Sequence, residues 1–433
     1  MNPVLFAKKV STIPQIHYIG SNDKVMVVSY DRSLHLRQPF TSNMGDVNRA
    51  LEELETLSGH ATLRERERKT AIDEISGATR ELTAMGAARD HAESVEAEMK
   101  FTLRGLSRQV ELLSGLVGRK ALLYVSDGIP QVIAEDLFIF VDERFPRARA
   151  RLEAGNFDIA NSYRKLIAQA NSSGVTFFTL DAGGMRAGST ISAEYGGTTQ
   201  GGGLPLVDSI YSANMKEPLH MIADDTGGRA IVGTNAIEAG LGKILGDLRN
   251  YYSLGYQPPR SSGGGRYYKL KVKLKQKGLK VRHRIGYRDK SVEARIAEST
   301  VASLIYGNDS NPLGIDLGFG RPRTGEETAR LSVDVKIPLD KVVLIPRSGA
   351  YIGRLKVAVA TMAEDGGLSE VDQQQPFMIE IPENELEIAR QKYYTYQVVL
   401  ENLDVGLSRV AVTVHDEHSA KASHVRRTIR IGS

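Results

Sequence analysis

The chain has 433 residues, 41% of them hydrophobic and 25% charged, with 42 Gly and 15 Pro, which suits two or three domains and excludes collagen-like, coiled-coil-only and wholly disordered chains. Zero cysteines exclude a disulfide framework, a thiolate zinc site and a thiol nucleophile. A formal net charge of +4 is too small to specify a polyanionic partner by itself.

The opening MNPVLFAKKV lacks the basic-then-apolar order of a secretory signal, and no apolar run approaches the ~20 residues of a membrane span. Residues 3–19 put Val4, Leu5, Val10, Ile13 and Ile16 at helix-like spacing, interrupted by Pro14, and Ser21-Asn22-Asp23 reads as a closing turn. KVMVVSYD then predicts a buried strand and LHLRQPF an alternating one. SNMGDVNRALEEL predicts a helix capped by Ser42 or Asn43. From Leu63 to Leu116 two apolar stripes follow at helical spacing, Ile72 to Met85 and Val95 to Leu113, with Gly86 between them, so two helices are expected.

GRKALLYVSDGIP (118–130) is a near-continuous apolar run ending in Ser-Asp-Gly, the pattern of a strand buried on both faces. A helix over about 155–172 and a second buried strand, VTFFTLDAGG, come next. The eight glycines of 183–203 read as a loop, EPLHMIADDTGG as a short glycine-ended helix, AIVG as a strand and IEAGLGKILGDLRN as a helix. Apolar strands alternating with helices predict a doubly wound, mostly parallel sheet over residues 1–256, with a long helical insertion at about 63–116. After residue 290 the pattern becomes alternating runs between turns, RLSVDVKIPL, GRLKVAVATM, PFMIEIP, YYTYQVVLEN, SRVAVTVHDEH and VRRTIRIG. These predict an antiparallel, Ig-like β-sandwich over 291–433, with only IPENELEIARQK suited to a helical turn.

The basic charge is concentrated. Between Arg260 and Lys290 lie twelve Lys/Arg and one acid, a local +11 that leaves −7 for the remainder. Within this 257–290 ribbon, Lys269, Lys271, Lys273 and Lys275 alternate with Leu270, Val272 and Leu274, the period of a strand with one wet face. Such lysines serve to keep a strand edge solvated, or to attract an anionic surface such as lipid headgroups or acidic polymers. No aromatic interleaves them as base stacking would require, which argues against nucleic acid.

Taken in order, KVMVVSYD, FTSN with its helix, GRKALLYVSDGIP, VTFFTLDAGG, YYSLGYQPP and RYYKLKVKLK resemble the bacterial VWFA-related proteins, a branch of the von Willebrand factor type A fold, over about residues 1–290. The resemblance implies extracytoplasmic binding or adhesion, and a Mg²⁺ site at the carboxyl edge of the sheet, where such sheets place ligands. Mg²⁺ takes six oxygens at ~2.1 Å. By resemblance, Asp127 of VSDG would be one ligand and Thr62 of GHATLRERE another, with Thr41 of FTSN the second choice for the threonine. The DxSxS motif that follows the family's first strand has no counterpart here, and Asp31-Arg32-Ser33-Leu34-His35 imitates it only in part. The expectation is therefore a type A-like sheet lacking its first, central strand, with a weak or absent metal site. Asp127 also reads simply as a turn-forming residue before glycine.

Other constellations are thin. No GxSxG elbow supports a serine hydrolase, Ser126 has no evident base, and GGTTQGGG follows no strand. His415, His418 and His424 lack the spacing of a metal site, and Asp224 and Asp225 read as helix-end residues. The expected function is non-enzymatic binding or adhesion to a protein or extracellular ligand. The alternatives are an α/β hydrolase centred on Asp127 and a purely structural role.

Overall fold

The computed structural model describes residues 3–7, 23–31, 33–55, 61–116, 118–183, 204–255, 263–307, 310–324, 328–364 and 367–431. The chain divides into two compact units, residues 1–110, 118–260 and 267–289 in one, and 111–117, 261–266 and 290–433 in the other.

The first unit is a six-stranded sheet in the order β3-β2-β1-β4-β5-β6. Its strands are β1 (Pro3–Ala7), β2 (Val25–Asp31), β3 (Ser33–Thr41), β4 (Lys120–Ser126), β5 (Val175–Asp181) and β6 (Ala230–Ile231). All neighbours run parallel except β2 and β3, which form an antiparallel hairpin. The helices are α1 (Met44–Glu55), α2 (Ala61–Gly77), α3 (Glu81–Ser114), α4 (Glu135–Arg144), α5 (Ala150–Ala154), α6 (Ala160–Ser173), α7 (Leu204–Asp225) and α8 (Ile237–Arg249). Val47, Leu51 and Leu54 of α1 and Ile237 and Ile244 of α8 cover one face of the sheet, packing on Val25, Val27, Ala121, Val125, Phe178 and Leu180. The alternate residues Leu122, Tyr124 and Phe177 are buried on the opposite face, where α6 and α7 contact β5.

The expected gap in the middle of this sheet is not there. Pro3–Ala7, read from sequence as the start of a helix, is the central strand, with Leu5 paired to Val27 on one side and Leu123 on the other. The physical reason is that PVLFA is a short apolar run, which periodicity cannot separate from a buried helical segment. Residues 8–22, which completed the helical pattern, lie outside the described residues. Two helix expectations also shift. The break in the long helical stretch falls at Ala78–Arg80, and Gly86 sits inside α3, where a glycine costs only about 1 kcal/mol. EPLHMIADD is the end of the 22-residue α7, which tolerates Pro218 in its interior. The glycine-rich stretch after Gly183 lies outside the described residues up to Leu204.

Strands β7 (Gly264–Lys269) and β8 (Gly286–Lys290) pair as a two-stranded ribbon. The second unit then opens with α9 (Val292–Tyr306), a helix where none was expected. Ser291 caps it, accepting from the Ala294 N–H at 3.1 Å, and Gly307 ends it in the left-handed region. The remainder is antiparallel: β9 (Asp316–Phe319), β10 (Arg323–Thr324), β11 (Thr328–Pro338), β12 (Ile345–Arg347), β13 (Ala350–Ala363), β14 (Asp372–Gln373), β15 (Phe377–Pro382), the short helix α10 (Leu386–Ala389), β16 (Tyr393–Asp404), β17 (Gly406–Asp416) and β18 (Ala422–Ile431). One sheet runs β10-β11-β16 with β9 also on β11, and the other β12-β13-β17-β18 with β14 and β15 also on β13. Val333, Val335 and Ile337 of the first meet Val357, Val359, Val410, Val412 and Val414 of the second in one core. Leu304 of α9 covers Ala360 and Ala411.

Candidate functional site

Strand β4 delivers Ser126, Asp127 and Gly128 to the carboxyl edge of the sheet, the edge at which open α/β sheets bind ligands. The turn is tightly specified. Gly128 has φ +109°, and a Cβ there would meet Met215 of α7 at 3.0 Å. The Ser126 hydroxyl accepts from the Gly128 N–H and donates to the Gly128 carbonyl, both at 3.2 Å. Asn214 of α7 holds the loop that follows: its Oδ1 accepts from the Gln131 and Val132 N–H groups at 2.9 and 3.0 Å, and its Nδ2 donates to the Val132 carbonyl. Tyr163 of α6 donates to the Pro130 carbonyl at 2.7 Å.

Two arginines one turn apart on α2 face this loop. Arg64 Nη2 lies 3.0 Å from Glu98 of α3 and 4.0 Å from Asp127. Arg68 donates from Nε to Asp136, in the first turn of α4, at 2.7 Å and from Nη2 to Asp208 of α7 at 3.1 Å, and stacks on the Tyr211 ring at 4.1 Å. Burial works against both guanidinium charges, but the surrounding carboxylates more than offset it and hold both pKa values above the usual arginine value. Burial pushes the Tyr124 phenol up to about 12. Burial, aided by the Arg68 charge and opposed by Asp136, lowers the pKa of His91. Arg64, Arg68, His91, Asp136, Tyr211 and Asn214 help line a cavity of about 30 Å³, room for little more than a water molecule. The Arg64 Nε is buried with no hydrogen-bond partner among the described residues.

Asp127 faces the Arg64 guanidinium, and among the described residues no three His, Asp or Glu side chains converge. Thr62 lies in the first turn of α2, two residues before Arg64, and its side chain is outside the described residues. Thr41 ends β3 and accepts from the Asn43 N–H, while Asn43 in turn caps α1 by accepting from Gly45. Asp31 and Ser33 pair across the β2–β3 hairpin turn. Asp224 and Asp225 close α7. The three histidines of the last hairpin do different things. His424 is buried on the Thr413 hydroxyl at 2.9 Å, His418 donates its backbone N–H to Asp416, and burial lowers the pKa of His415.

Lys269, Lys271, Lys273 and Lys275 are all exposed, with Leu270 and Val272 half-buried between them. The regular strand stops at Lys269, earlier than the alternation predicts, because only Leu270 and Val272 find backing: the Leu270 N–H donates to the Ile285 carbonyl and the Val272 N–H to His283 Nε2.

The arginine pair escapes a sequence reading because RERERKT looks like a solvated charge run. The available signal is position, since Arg64 and Arg68 continue the stripe of Ala71, Ile72 and Ile75 at steps of three and four.

No family model matches the chain, and no curated protein does. Among solved structures, it is similar to an aerotolerance-related membrane protein from Bacteroides fragilis, at 14% identity and a TM-score of 0.26 over 57% of this chain and 98% of that one. Another is a β-glucuronidase of Bacteroides uniformis, at 16% identity and a TM-score of 0.20 over 27% of this chain, which spans only 13% of that enzyme's length. A third is the CARDB domain of a Pyrococcus furiosus protein in complex with di-metal ions, at 14% identity and a TM-score of 0.15 over 29% of this chain and 94% of that one. TM-scores this low establish no common fold.

Proposed function

We propose that the chain is a non-enzymatic binding module, a type A-like α/β unit followed by an Ig-like sandwich, that engages an extracytoplasmic protein partner at the carboxyl edge of its sheet without a metal ion. The strand order β3-β2-β1-β4-β5-β6 with an antiparallel β3 supports the first part, and the two facing antiparallel sheets support the second. The observation that carries the reading is the Arg64 guanidinium 4.0 Å from Asp127. It supplies from within the chain the positive charge that a type A site otherwise draws from Mg²⁺. The hydrolase alternative finds less support. Asp127 faces an arginine rather than a His or Glu with which it could exchange a proton, and the Ser126 hydroxyl is spent on the turn.

Calorimetric titration of Mg²⁺ into the chain tests the reading, with millimolar binding or none expected; micromolar affinity overturns it. In parallel, ester and phosphoester substrates should show no turnover beyond that of Asp127→Asn. Turnover lost in that variant would establish the hydrolase instead.

A further inference from the structure

The ribbon lies at the opposite, amino edge of the sheet and stands apart from the carboxyl-edge reading. Its base is fixed. The Ile285 N–H donates to the Asp225 carbonyl at the end of α7 at 3.2 Å. Arg282 pairs with Asp247 of α8, and Tyr268 stacks on Tyr287 at 5.4 Å. Beyond this base every residue from Lys273 to Val281 is exposed, and the chain reverses at Gly278 with φ +82°. The segment holds Lys273, Lys275, Lys277 and Lys280 and no acid. It also presents apolar side chains to solvent: Leu274 is 45% exposed, Leu279 59% and Val281 36%.

A ribbon kept wet merely to block edge pairing has no need of aliphatic side chains at its tip. An acidic polymer is met by the lysines alone, and a nucleic acid would call for aromatics, of which residues 269–286 have none. Lysines interleaved with exposed leucine and valine are the combination that suits an anionic bilayer, where the cations meet the headgroups and the aliphatic chains enter the headgroup–acyl boundary. We infer that residues 270–285 dock the protein on an anionic lipid surface, with Leu274, Leu279 and Val281 entering the bilayer interface.

The chain contains no tryptophan, so Leu279→Trp is a single-site reporter. With phosphatidylcholine vesicles carrying a one-third share of phosphatidylglycerol, the full chain should co-sediment and the Leu279→Trp emission should shift to the blue. With phosphatidylcholine alone it should do neither. Replacing Lys271, Lys273, Lys275 and Lys277 together by Gln should weaken vesicle binding about tenfold or more, and lowering the salt should strengthen the binding of the unmodified chain far more than that of the variant. The double variant Leu274→Ser/Leu279→Ser should weaken vesicle binding while leaving retention on heparin unchanged. Absence of vesicle binding overturns the inference. Vesicle binding indifferent to the double serine variant overturns it too, since Leu274 and Leu279 then take no part in it.

Discussion

Arg68 Nε and Asp136 Oδ2 meet at 2.7 Å with the two side chains only 4% and 3% exposed. A pair so buried has lost its water on both sides, so removing Asp136 leaves the Arg68 Nε unsatisfied in the interior, with only Asp208 to offset the charge. Asp136→Ala should destabilise the chain by about 3–5 kcal/mol in urea unfolding. The double variant Arg68→Met/Asp136→Leu should recover part of that loss, since it removes both buried charges at once and takes Arg68 only from Asp208, whose side chain keeps 11% exposure. Additive losses would show that the pair is not coupled.

Gly228 marks a contact between backbones. A Cβ at this position would lie 1.7 Å from the Phe177 carbonyl oxygen of β5. Beside it the Thr226 hydroxyl accepts from the Phe177 N–H at 2.9 Å and donates to the Ile222 carbonyl at 2.8 Å. The Thr-Gly-Gly run thus fastens the end of α7 to the sheet. Gly228→Ala should cost about 3 kcal/mol or more, because the obstructing atom is main chain and cannot rotate away. Thermal unfolding would register it as a clear drop in Tm, and an unchanged Tm would contradict the close approach.

His424 sets a pH dependence in the sandwich. Burial pushes its imidazole down to about 4, and its Nδ1 lies 2.9 Å from the Thr413 hydroxyl, itself 2.7 Å from Thr300 of α9. An unfolded histidine titrates near 6.5, so between 6.5 and 4 the unfolded chain binds the extra proton. The neutral ring's contribution is therefore complete above pH 6.5 and lost as the pH falls toward 4, about 3 kcal/mol in all. His91 and His415 are lowered in the same direction, so the measurement is a difference. Stability of the unmodified chain should fall between pH 7 and pH 4.5 more steeply than that of His424→Asn, by chemical denaturation. Parallel curves would rule the contribution out.

Much of this architecture is legible in the sequence wherever burial imposes one clear period. KALLYVS and VTFFTLD are apolar on both faces and stand as β4 and β5 between helices. Legibility fails where two readings share a pattern. PVLFA is as apolar as a helical face and is a strand, while the α9 segment is hidden among strand-like runs although Ser291 and Gly307 mark both its ends. At the carboxyl edge, Asp127 stands out through its Ser-Asp-Gly turn, but its neighbours do not, because charged residues in RERERKT give no sign of being buried until the helices around them are in place. The lysine alternation is legible in chemistry and misleading in length, since strand regularity requires a partner as well as a period.

The four hydrogen bonds that Asn214 and Tyr163 make to residues 130–132 leave the carboxyl-edge loop little freedom to rearrange. Its shape is settled during folding, before any encounter. Binding at that edge, as proposed above, would then be of the lock-and-key kind, with the entropic cost of ordering this loop already met.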